Sequence, residues 1–134
     1  MSTVSTTTRL PRTERRFGPH DRLQVSVTAP GSRVTLCAVA GEVDLYTADV
    51  LRRALSVAVH AGAPTVVLDL SGVLFFGVAG LHVLIEARER VGRTGRRLWL
   101  VAGPLCVDRV LEVADDAAVF ERVPDLAAAV LDTA

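Results

Sequence analysis

Apolar positions along this chain follow two rhythms that take turns. Leu23 to Val27 alternates apolar with polar, the pattern of a strand with one wet face. Ala29-Pro30-Gly31-Ser32 reads as a turn, and Val34 to Val39 as a second strand that is more apolar and joined to the first as an antiparallel hairpin. Then the spacing changes. Leu51, Ala54, Leu55 and Ala58 recur at three and four, which predicts a helix with Thr47 in the capping position and Gly62 and Pro64 as its stop. Thr65 to Leu70 is apolar on both faces except at Asp69, as in a strand covered on both sides within a parallel sheet.

Ser71 and Gly72 read as a short turn after that strand. Phe75 and Phe76 lead into a small-residue elbow, Gly77-Val78-Ala79-Gly80. Beyond it Leu81, Leu84, Ile85, Arg88 and Val91 return to helical spacing. Arg97 to Ala102 predicts a fourth strand. Pro104 opens a third helix that turns Val107, Val110, Leu111 and Ala114 inward. Ala118 to Glu121 reads as a short edge strand, and Pro124-Asp125 as the start of a last helix through Leu126, Ala129 and Val130. The order β-β-α-β-α-β-α-β-α predicts an α/β domain. Its sheet is mixed but mainly parallel, with about five strands and about four helices joined by right-handed crossovers. Residues 1–20 carry Ser, Thr, Pro and a loose cluster of Arg9, Arg12, Arg15 and Arg16 without apolar periodicity. They read as a disordered basic tail, leaving 21–134 as one domain.

Composition narrows the function. Half of the 134 residues are hydrophobic, enough for a real core, and the formal net charge is zero, which argues against direct nucleic-acid binding. All fifteen basic residues are arginine, so lysine chemistry is excluded. No stretch has the length and apolarity to insert in a membrane, and no apolar targeting segment follows the first residues; a cytoplasmic protein with reduced thiols is expected. Cys37 and Cys106 form no C-x-x-C and have no histidine cluster beside them, so neither a metal nor a cofactor is expected.

Candidate chemistry is sparse. No Ser, Thr, Cys, Lys, His or carboxylate lies between Phe75 and Leu81, so the elbow holds no nucleophile, and its glycines lack the spacing of a phosphate-binding loop. His20, His60 and His82 fall in the tail, at a helix end and within a helix; His82 reads as a partly exposed helical residue beside the elbow. Glu42 and Asp44 are either paired carboxylates or a turn and helix-capping device. Cys37 lies mid-strand as a small core residue, whereas Cys106 occupies a first helical turn, where the dipole lowers a thiol pKa. A redox bridge between them requires the fold to bring them together. With no nucleophile–base pair to name, the chain reads as a non-catalytic protein.

Three segments carry a resemblance. Gly41-Glu42-Val43-Asp44 with Thr47-Ala48 resembles G-E-[LIV]-D-x-x-[TS]-A. Val66-Val67-Leu68-Asp69-Leu70-Ser71-Gly72-Val73 resembles v-v-l-D-l-s-x-v. Phe76-Gly77-Val78-Ala79-Gly80-Leu81 stands where hydrophobic-D-S-[ST]-G-L would. Order and spacing of all three are those of the STAS domain of anti-sigma factor antagonists, which the chain resembles from about Leu23 to Leu131. The resemblance implies a switch protein that binds an anti-sigma factor of the histidine-kinase-like ATPase type and frees a sigma factor. In the family, the Ser or Thr before the motif glycine is phosphorylated by that partner, and the phosphorylated form lets go. Here Gly77, Val78 and Ala79 replace Asp, Ser and the phosphoacceptor, so the usual switch has no hydroxyl to act on. The implied partner-binding set is Glu42, Asp44, Phe76, Gly77, Val78, Ala79, Gly80 and His82. A second expectation is a STAS adaptor subunit of a transporter-associated or scaffold complex.

Overall fold

The computed structural model describes residues 14–17, 22–101, 105–113 and 120–125. Within them the chain forms six strands and three helices. These are β1 (Arg15–Phe17), β2 (Leu23–Gly31), β3 (Val34–Val43), α1 (Ala48–His60), β4 (Thr65–Phe76), α2 (Val78–Arg93), β5 (Arg97–Val101), α3 (Leu105–Val113) and β6 (Glu121–Val123). All six strands join one sheet whose spatial order is the chain order. β1, β2 and β3 pair antiparallel; β3, β4, β5 and β6 pair parallel. Each crossover steps the same way along the sheet, so the right-handed rule puts α1, α2 and α3 on one face.

Side-chain alternation separates two apolar layers. Val66, Leu68 and Leu70 of β4 and Leu98 and Leu100 of β5 point toward the helices. There they meet Leu51, Ala54, Leu55 and Ala58 of α1, Leu84, Ala87 and Val91 of α2, and Val107 and Leu111 of α3. The intervening Val67, Trp99 and Val101 join Val34 and Val123 in a smaller cluster on the opposite face. The first half of β4, Thr65 to Leu70, is therefore covered from both sides, as its apolar run predicts.

Several expectations need correction. The segment read as an unstructured tail contributes β1, an edge strand in register with Val25–Val27. β2 does not stop at Val27 but runs through Ala29-Pro30-Gly31, with a bulge between Thr28 and Gly31 that accommodates the proline. Among the described residues the last strand is Glu121–Val123, which shares Glu121 with the expected one and runs on past it. His20, Pro104, Ala114, Ala118, Val119 and the helix expected after Asp125 lie outside the described residues.

The largest difference is in β4. Ser71-Gly72 is not a turn; the strand continues to Phe76. Against β3 it carries two extra residues, one between Asp69 and Gly72 and one between Val73 and Phe75. The first bulge frees the Ser71 N–H, which donates to Asp69 Oδ1 at 3.0 Å. At Gly72 a Cβ would meet Ala40 Cβ at 3.1 Å and the Val39 carbonyl at 3.2 Å, so a side chain there would press β3 back by a few tenths of an ångström. The second bulge turns two consecutive side chains outward, so Leu74 and Phe75 are both exposed while Val73 and Phe76 are buried.

Candidate functional site: the carboxyl end of the parallel strands

Three connections converge where β3, β4 and β5 end. β3 runs into the 44–47 loop, β4 into the elbow and α2, and β5 leads on to α3. In open α/β sheets this is the end that binds ligands and partners. Among the described residues the exposed large apolar side chains are Leu45, Tyr46, Leu74, Phe75, Val78 and Leu105, at 51% to 78% exposure. Leu45 and Tyr46 lie in the 44–47 loop, Leu74 and Phe75 near the end of β4, and Val78 and Leu105 at the starts of α2 and α3. This end is therefore the candidate surface for an interaction.

The elbow is held by backbone hydrogen bonds and by packing, with no polar side chain of the described residues taking part. Gly77 is extended (φ −98°, ψ −179°), and its N–H donates to the Val43 carbonyl at 2.9 Å, tying the end of β4 to the end of β3. Gly80 N–H and Leu81 N–H then close the first turn of α2 onto the Gly77 carbonyl. Gly80 is buried: a Cβ there would meet Val43 Cγ1 at 2.7 Å and the Phe76 ring at 2.8 Å. Phe76 is itself a core residue. The elbow thus presents Val78 to solvent, with His82 exposed one turn further on the same helical face. Ala79 is half-buried against the core. Phe75 lies over Gly77, its Cε2 3.4 Å from where a Cβ would stand. Phe76 and Gly80, expected at the contact face, support it from beneath, and Phe75 takes the outward place.

The 44–47 loop is held by polar groups. Asp44 Oδ1 accepts the N–H groups of Tyr46 (2.9 Å) and Thr47 (3.0 Å), and its carbonyl accepts Ala48 N–H (2.9 Å). Thr47 stands at the N-cap of α1, as expected, but makes no side-chain bond to the helix; Asp44 fixes the loop that leads into it. The buried Thr47 hydroxyl turns back instead, donating to the Glu42 carbonyl at 2.8 Å and accepting the Asp44 N–H at 2.9 Å. Arg22 bridges the acids: its Nη1 donates to Glu42 Oε1 at 3.2 Å and to Asp44 Oδ2. The guanidinium, with the loop N–H groups, holds the Asp44 carboxyl down at about 2, while the acids raise the Arg22 pKa. Glu42 and Asp44 shape the loop, the turn part of their second reading, without a side-chain bond to the helix.

The fold keeps the two thiols apart. Cys37 is buried opposite Leu68, and burial pushes its thiol up to about 12. Cys106 is half-buried with Sγ 3.9 Å from the Val73 carbonyl. Val73 lies five residues beyond Leu68, roughly 15 Å along a strand rising about 3.3 Å per residue, too far for a disulfide. Among the described residues no group of three His, Cys, Asp or Glu is placed to hold a metal, and no helix is long and apolar enough to cross a membrane. An open hollow of about 640 Å³ lies on the sheet face turned from the helices, where Gln24, Ser26 and Asp69 stand around Ala38 and Ala40. It is distinct from the apolar end.

The STAS domain model matches residues 27–129. This chain belongs to the STAS domain family. Over 74 residues the STAS chain is 35% identical to the anti-sigma-F factor antagonist RsfB of Mycobacterium tuberculosis, a match covering 55% of this chain and 60% of RsfB. It thus spans less than two thirds of that curated relative. A crystal structure of an anti-sigma factor antagonist from Mycobacterium paratuberculosis superposes with a TM-score of 0.73 at 28% identity, covering 84% of this chain and 95% of that one. SpoIIAA, an anti-sigma factor antagonist in its unphosphorylated form, shares the fold at a TM-score of 0.64 and 13% identity, over 81% and 94% of the two chains. The anticipated family and α/β architecture hold for this STAS domain.

Sequence reasoning missed Arg22, Leu45, Tyr46, Leu74 and Leu105 at this end. Two signals were available. Leu45-Tyr46 places two large apolar residues inside a polar turn. Leu74-Phe75-Phe76 puts three in a row where alternation must send at least one outward.

Proposed function

We propose that this STAS domain is a non-catalytic anti-sigma factor antagonist. It docks a histidine-kinase-like anti-sigma ATPase in the cytoplasm through the carboxyl end of its parallel strands and so frees a sigma factor. The observation that carries this reading is the gathering on that end, around the elbow, of the six exposed large apolar side chains found among the described residues. Val78, His82, Gly77 and Ala79 form its α2 side, and Leu45 and Tyr46 its β3 side. Ala79 offers a methyl where relatives of the family offer a hydroxyl, so binding is not ended by phosphorylation there.

The elbow backbone supports the idea that only the switch has been lost. Gly77 has an ordinary extended conformation, and a Cβ there meets nothing closer than 3.4 Å. A Gly77→Asp, Val78→Ser, Ala79→Ser variant is expected to fold and to accept phosphate from the partner kinase, whereas the natural chain accepts none. The deciding experiment is capture of host proteins on immobilised chain, followed by competition with the cognate sigma factor. Recovery of the ATPase and release of the sigma factor are expected. Val78→Asp places a charge in the apolar face and is expected to weaken capture by about tenfold or more, or ~1.4 kcal/mol. Phosphate on the natural chain at Ser71 or elsewhere, with loss of capture, would refute the unswitched reading.

A further inference from the structure

The 44–47 loop poses a physical problem. It projects Leu45 and Tyr46 into solvent, both 78% exposed, so neither side chain anchors it by burial. Its fixed points are the buried Val43 before it and the buried Thr47 and Ala48 after it. Between them only polar contacts specify the backbone.

We infer that Arg22 is the positioning residue of the docking face: clamped on Glu42 and Asp44, it holds the 44–47 loop in the form that presents Leu45 and Tyr46. The role in binding rests on the proposed docking reading; the clamp itself rests on geometry. Arg22 grips the loop by main chain and side chain together. Its carbonyl accepts Glu42 N–H at 2.7 Å, and Gly41, at φ +113°, lies so close that a Cβ would fall 2.1 Å from that carbonyl oxygen. The root of the arginine is thereby fixed relative to the start of the loop. Its guanidinium then spans both acids, Nη1 on Glu42 and on Asp44 Oδ2, with Nη2 3.5 Å from Asp44 Oδ1.

Asp44 passes the constraint on, because Oδ1 takes the N–H groups of Tyr46 and Thr47. A planar, forked cation suits this task better than a point charge, since it orients the carboxylate and not merely attracts it. Glu42 and Asp44 consequently act on a partner through the loop, not as bare carboxylates offered to it.

Arg22→Gln and Arg22→Lys, compared in the full chain, test this. The first readout needs no partner: chymotryptic cleavage of the Tyr46–Thr47 bond, followed by mass spectrometry, with Trp99 fluorescence melts as the folding control. Cleavage tracks the population of the open loop, so Arg22→Gln is expected to be cut there about tenfold faster, with the melt little changed and Arg22→Lys between the two. The second readout is capture of the host ATPase, expected to weaken by about tenfold with Gln and to recover in part with Lys. Equal cleavage in wild type and Arg22→Gln overturns the clamp. Faster cleavage with unchanged or tighter capture overturns the role in docking. If wild type captures no ATPase, the docking reading fails, and cleavage still decides whether Arg22 positions the loop. Should Arg22→Gln not fold, Arg22→Lys carries the same comparison, since it keeps the charge and loses the fork.

Discussion

The two sides of the apolar end are built on opposite principles. On the α2 side, the elbow rests on Val43, Phe76 and Gly80 in van der Waals contact, and no carboxylate occurs in the first turn of the helix. On the β3 side, the loop is tied by Arg22, Asp44 and Thr47, and its apolar side chains face water. One surface therefore has one half specified by volume and the other by charge and hydrogen-bond direction. The lesson is that exposed apolar groups can be held in place either from beneath or from the side, and that the two scaffolds fail under different stresses.

Each scaffold can be broken at one glycine. Gly41→Ala forces a side chain into a left-handed backbone and onto the Arg22 carbonyl. The expected loss is ~2–4 kcal/mol, read by denaturant unfolding followed through Trp99. A near-neutral result would show that the start of β2 can move away from Gly41, and that the polar scaffold is softer than drawn. Gly80→Ala overfills the elbow against Val43 and the Phe76 ring. Against the ~1 kcal/mol that alanine gains in a helix, overpacking costs ~1–3 kcal/mol, so a net loss near 1 kcal/mol is expected in the same assay. Restoration by Phe76→Leu would place the strain where the contacts put it.

Acid sharpens the contrast with the smallest effect. Asp44 titrates at about 2, below its usual 3.8, mainly through Arg22. A lowered carboxyl pKa gives stability that is full above pH 4 and lost as pH falls toward 2. The amide resonances of Tyr46 and Thr47 should move with a midpoint near 2, while those of Gly80 and Leu81 should not follow that transition. A midpoint at 3.8 would mean that the guanidinium does not engage the carboxylate in solution.

Much of this architecture was legible in the residues. Periods of two and of three to four placed α1, α2 and the cores of β2 to β5, and the three short motifs pointed to the family that the comparisons show. Bulges defeated the reading of strand lengths. Pairing register is a property of two segments at once, so nothing local in Ser71-Gly72 distinguishes a turn from an inserted strand residue. The same cause hid which phenylalanine faces out, since alternation counted from Val66 is reset twice before Phe76. Thr47 illustrates a different limit. It takes the N-cap position its residue type favours, yet the path of the loop turns its hydroxyl back onto Glu42 and Asp44 instead of onto the helix. Arg22 was invisible because its partners lie twenty and more residues away.

The agreement between strand order and chain order bears on how this molecule is made. Each strand emerging from a ribosome finds the edge it will join already synthesised, with only a hairpin or one helix in between. Growth can thus proceed outward from β2 and β3, without a long wait for a distant pairing partner. Yet the apolar end draws on segments as far apart as Leu45 and Leu105. A nascent chain therefore has the strands β2 to β5 in hand before Leu105 is added, so the apolar end is completed only after the sheet that carries it.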